Sequence, residues 1–85
     1  MYVKMITLIK VGESKDYAYS HTKIYEVSAF SHSLDKDPDG NTHDTFTLTL
    51  LRNGGIERVS RVCLDDNYKM DVYVENDKGD TIGRY

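Results

Sequence analysis

Apolar and polar residues alternate with a period of two along most of the chain, and no stretch carries an apolar stripe of helical spacing over three turns. The clearest run is Asp44 to Arg52, where Thr45, Thr47 and Thr49 alternate with Phe46, Leu48 and Leu50. Successive strand side chains point to opposite faces, so this run predicts one threonine face and one apolar face. Five further runs are rich in β-branched and aromatic residues: Tyr2 to Val11, Thr22 to Phe30, Ile56 to Leu64, Tyr68 to Glu75 and Asp80 to Tyr85. The first is apolar on both faces in its middle, which places it centrally in a sheet.

Turn residues separate these runs. Gly12 to Ser20 reads as a polar loop, and so does Ser31 to His43, which holds the only proline in Asp37-Pro38-Asp39-Gly40. Asn53-Gly54-Gly55, Asp65-Asp66-Asn67 and Asn76-Asp77-Lys78-Gly79 are tight-turn signals. Connections this short predict a four-strand antiparallel meander over 44–52, 56–64, 68–75 and 80–85. The expected fold is all-β, with about six antiparallel strands forming a small barrel or two-layer sandwich.

Size and composition sharpen this picture. The 85 residues suit one domain, 1–85. So small a core leaves little room for an internal cavity, which directs any site to the surface or to a groove between identical subunits. A homo-oligomer is therefore expected. Seven tyrosines and no tryptophan fit half-exposed strands and interfaces. The net charge of −3 argues against nucleic acid, whose phosphates must be neutralised by Lys and Arg. Cys63 is the sole cysteine, so no intramolecular disulfide forms, and a cytoplasmic location is expected. The apolar start, Met1 to Ile6, is too short for a signal peptide, and no run approaches the roughly 20 apolar residues of a membrane span.

Four features could carry chemistry. Asp35-Lys36-Asp37-Pro38-Asp39-Gly40-Asn41 has the alternating aspartates and glycine that open a calcium loop. Asp35, Asp37 and Asp39, with Asn41 and Asp44, make a weak calcium candidate; no other cofactor is implied. Phe46 stands where a bidentate glutamate is needed, and the flanks read as strands, so the plainer meaning is a solvated acidic turn.

Arginines form the second feature, since Arg52, Arg58 and Arg61 lie in one hairpin. Alternation puts Arg58 and Arg61 on opposite faces. With a two-residue Asn53-Gly54 turn, Arg58 falls opposite Thr49 and Ser60 opposite Thr47. That polar strip could bind a phosphate or carboxylate, with arginine making the bidentate contact, or be an ordinary solvent face. The third feature, His21, His32 and His43 with Cys63, lacks the close spacing of a zinc site, and Cys63 has no adjacent helix start to activate it. The fourth is tyrosine placement: Tyr17 and Tyr19 in the first loop and Tyr73 on a polar strand face are recognition candidates. Asp65, Asp66, Asp71, Glu75, Asp77 and Asp80 form an acidic region beside the arginine hairpin, which suits self-association or solubility.

No phosphate loop, dinucleotide fingerprint or nucleophile elbow is present, so the chain is not expected to be an enzyme. The leading expectation is a non-catalytic module that inhibits a protein partner or sequesters a small anionic ligand, as phage-type accessory proteins do. A calcium-binding β domain is the alternative, and a small hydrolase without a familiar motif the third.

Overall fold

The computed structural model describes residues 1–10, 17–61 and 68–85, with backbone only for 17–19. It is all-β, with six antiparallel strands: β1 (Tyr2–Lys10), β2 (Tyr17–Lys36), β3 (Thr42–Leu50), β4 (Ile56–Arg61), β5 (Tyr68–Glu75) and β6 (Thr81–Arg84). Hydrogen-bonded neighbours follow the order β4-β3-β2-β1-β5-β6. The doubly apolar β1 sits between two neighbours, as its pattern requires. No described helix is long and apolar enough to cross a membrane.

The chain divides into two compact units, Met1–Tyr25 with Cys63–Tyr85, and Glu26–Val62. In the first, β1 pairs with β5 from Tyr2 opposite Glu75 to Ile9 opposite Tyr68. This register puts Val3, Met5, Val72 and Val74 on one face, and all four are buried. In the second, β2 pairs with β3 from Val27 opposite Leu50 to Lys36 opposite Thr42, and β3 with β4 from Asp44 opposite Arg61 to Thr49 opposite Ile56. Among its described residues, Val27, Phe46 and Leu48 are buried. Burying a side chain of that size contributes about 1.5–3 kcal/mol, so a few such positions dominate each unit.

Three expectations need correction. The meander of four successive neighbours is instead two hairpins, β3–β4 and β5–β6, because β5 takes β1 as its other partner. The apolar β1 needs strands on both sides, and that non-local demand outweighs the tendency of consecutive strands to pair. The polar segment Ser31–Lys36 is strand, not loop, because its backbone pairs with β3 up to Thr42. Ladder hydrogen bonds come from the main chain and do not need apolar side chains. Residues 17–20 likewise belong to β2. A register shift between Val27 and Ala29 also breaks the simple alternation of β2, so Val27 and Phe30, three apart, both oppose the apolar side of β3.

Candidate functional site

The second unit presents two chemically distinct faces. On the first, cross-strand neighbours are Ser31, Thr47 and Arg58; Ser33, Thr45 and Ser60; and Ala29, Thr49 and Ile56. This hydroxyl face is the expected strip in a different register. Arg58 lies opposite Thr47, not Thr49, and Ser60 opposite Thr45, not Thr47. The cause is the hairpin closure. Leu50 N donates to Gly55 O at 2.8 Å and Gly54 N to Leu50 O at 2.9 Å, so Leu51, Arg52 and Asn53 are turn residues. A slide of two positions preserves the faces, so Arg58 and the threonines remain together. Arg58 and Ser60 are exposed, whereas Thr45, Thr47 and Thr49 are half-buried. Among the described residues no carboxylate pairs with Arg58.

The second face carries a cluster that the sequence reading missed. Asp44 sits at its centre, tied to β2 and β4. Its Oδ1 lies 2.6 Å from His32 Nε2, and its Oδ2 accepts from Arg61 Nη2 at 2.6 Å and Nε at 2.9 Å. A carboxylate only accepts, so this contact places a proton on His32 Nε2. The aromatic ring of Phe46 supports both partners. His32 stacks on it with centroids 5.1 Å apart, and the Arg61 guanidinium lies 5.3 Å from its centroid. Phe30 stacks on the same ring at 6.0 Å.

The hydrogen bond from His32, and with it the Arg61 guanidinium, holds the Asp44 carboxyl below its ordinary value of 3.8, although burial pushes the other way. Asp44, His32 and Arg61 are only about a fifth exposed, at 22, 24 and 19%. Both carboxylate oxygens are engaged, and the group acts as a cross-strand clamp. One half was legible: Arg61 shares a face with Val59, and Asp44 with Phe46. The other half required knowing that β2 runs on to His32 and beyond.

The acidic turn has its own internal explanation. Asp37 Oδ1 accepts from the amides of Asp39 at 3.0 Å and Asn41 at 2.9 Å, and Asp37 N donates to Asn41 O at 3.0 Å. The turn Asn76-Asp77-Lys78-Gly79-Asp80 repeats these contacts. Asn76 Oδ1 accepts from Lys78 and Asp80 amides at 3.0 Å each, and Asn76 N donates to Asp80 O at 2.9 Å. Gly40 and Gly79 take the same left-handed backbone, φ 85° and 86°. An uncharged asparagine thus builds the same turn as Asp37. Asp35 accepts from Ser33 Oγ at 3.2 Å and lies opposite His43, on the face away from Asp44. Asp39 is exposed on the turn. Among the described residues, no three His, Cys, Asp or Glu side chains converge as metal ligands.

The remaining candidates are dispersed. Tyr17 and Tyr19 have strand backbone, but their side chains lie outside what is described. Tyr73 is half-buried in the first unit, opposite Lys4 and Arg84. His21 is exposed. In the acidic region, Asp77 holds the N-terminal amine at 2.6 Å and Asp71 lies 3.8 Å from Lys69. Cys63, Asp65 and Asp66 fall outside the described residues. No protein-family model, curated protein or solved structure matches the chain.

Proposed function

We propose that this chain is a non-catalytic binding module that works as a homo-oligomer and takes an anionic group, a carboxylate or a phosphate, on its hydroxyl face. The observation that carries the reading is Arg58, an exposed guanidinium with no described acidic partner, set beside Thr47 and two residues from Ser60 on a hydroxyl-lined sheet. Guanidinium is always charged and presents a planar fork of donors that matches two oxygens of an anion. Hydroxyls on either side can donate to the remaining oxygens. The sheet holds these groups at fixed spacing, so little ordering is needed on binding. No bond is made or broken: the module captures the anion and holds it.

Native mass spectrometry of protein purified without chelator tests the reading. An added mass on the wild type, absent from Arg58→Ala and weakened in Arg58→Lys, is the expected result, because lysine keeps the charge but loses the fork. An adduct that survives Arg58→Ala overturns the assignment.

A further inference from the structure

β4 and β6 stand at the two ends of the strand order. Among the described residues, β3 is the only hydrogen-bonded neighbour of β4, and β5 the only one of β6. Edge strands invite pairing, and proteins blunt them by shortness, bulges, proline or lysine. β6 is blunted: it has 4 residues and a register shift opposite Val74 and Glu75. β4 is not. Its 6 residues, Ile56-Glu57-Arg58-Val59-Ser60-Arg61, contain no proline, glycine or lysine and pair with β3 without a shift. Its residues are exposed apart from half-buried Val59 and Arg61.

The direction of its free main-chain groups follows from the hairpin. Gly55 O accepts from Leu50 N, so Gly55 faces β3. Alternation along an antiparallel strand then turns the amides and carbonyls of Ile56, Arg58 and Ser60 outward. No backbone partner for them occurs among the described residues.

We infer that β4 pairs antiparallel with β4 of a second copy, across a two-fold axis at Val59. Directly opposed residues must share a face, so a symmetric pairing is centred on a single residue. Centring on Arg58 sets arginine against arginine, and centring on Glu57 sets glutamate against glutamate. Centring on Ser60 sets Val59 against Arg61, an apolar group against a charge. Centring on Val59 sets Glu57 against Arg61 of the partner subunit, a guanidinium that also holds Asp44 of its own chain, Val59 against its own copy, and Arg58 against Ser60 of the partner subunit. Of these four, this register alone matches opposite charges and keeps like charges off direct opposition. Arg58 and Ser60 then exchange main-chain hydrogen bonds with the partner, and Val59 occupies the closer, non-hydrogen-bonded position on the axis.

The pairing deepens the proposed function and rests on it for one consequence. The two hydroxyl faces become continuous, and the two Arg58 side chains lie diagonally across the axis, about 7–8 Å apart at the backbone. Their mutual repulsion is relieved by an anion between them, so the anion site is shared by two subunits.

Sedimentation velocity over a concentration series, with and without inorganic phosphate, tests both parts. The wild type is expected to form a dimer that Glu57→Arg abolishes, because arginine then faces Arg61 of the partner subunit. Arg58→Ala is expected to keep the dimer without phosphate and to lose any strengthening by phosphate. A wild type monomeric throughout overturns the pairing. A dimer indifferent to phosphate leaves the pairing standing and overturns the shared anion site. The register is read by cysteine scanning in a Cys63→Ser background. Val59→Cys is expected to oxidise readily to a disulfide-linked dimer, whereas Glu57→Cys and Arg58→Cys are not. Preferential cross-linking of either of the latter overturns the axis at Val59.

Discussion

Asp44 shows how much one side chain settles in a small sheet. It lies in the central strand of the second unit and joins β2 and β4 through His32 and Arg61. Charged hydrogen bonds of this kind contribute about 1.5–3 kcal/mol each when well formed, and partial exposure reduces that figure here. Asp44→Asn keeps the shape and removes the charge, so it should destabilise the fold by about 1–2 kcal/mol in urea melts near neutral pH. The sign of the pH dependence follows from the lowered carboxyl. A group that binds its proton less tightly when folded stabilises fully above its ordinary value, 3.8 for Asp44, and loses that contribution as pH falls through the folded value. The gap between wild type and Asp44→Asn should therefore be wide at about pH 6 and close toward about pH 2. A gap that stays constant across this range would show that the charge of Asp44 contributes nothing.

At the scale of elements, the two related turns separate local rules from ligand chemistry. Asp37 and Asn76 make the same pair of side-chain contacts to following amides. Asp37→Asn should thus change stability by less than about 0.5 kcal/mol, whereas Asp37→Ala, which leaves those amides without their acceptor, should cost about 1 kcal/mol. On the same argument, adding calcium should leave the melting temperature of the wild type unchanged. A calcium-dependent rise in the wild type that Asp37→Asn removes would restore the metal reading of this turn. The comparison also marks what the sequence made legible. Turn chemistry and strand alternation are local, and both were readable at Thr45 to Leu50 and at Asp37 to Gly40. The length of β2 was not, because the polar residues Ser31 to Lys36 pair through the main chain, which side-chain patterning does not report. The strip of Arg58 with Thr47 was readable as a face but not as a register, since closure at Leu50 and Gly55 is decided by hydrogen bonds two residues inside the expected turn.

Over the whole molecule, strand order is the property least accessible to local pattern, and β5 illustrates why. Its alternation is as clear as that of β3, yet nothing in its own residues says that β1 is its partner. The same non-local pairing bears on how the chain unfolds. Its two units are each close to the size of about 40 residues below which a chain rarely holds a fold without help. β2, 20 residues long, contributes to both. Among the described residues four buried side chains serve one unit and three the other, so neither is expected to stand alone. The expected consequence is a single cooperative transition. Phe46→Ala removes a fully buried ring from the second unit, a loss of about 3–5 kcal/mol. Hydrogen exchange should report faster opening not only of amides in β3 and β4 but, to a similar degree, of those in β1 and β5. If instead β1 and β5 keep their wild-type protection while β3 and β4 lose theirs, the units unfold separately. The 85 residues would then hold two weakly stable sheets sharing a strand, contrary to the single domain that chain length implies.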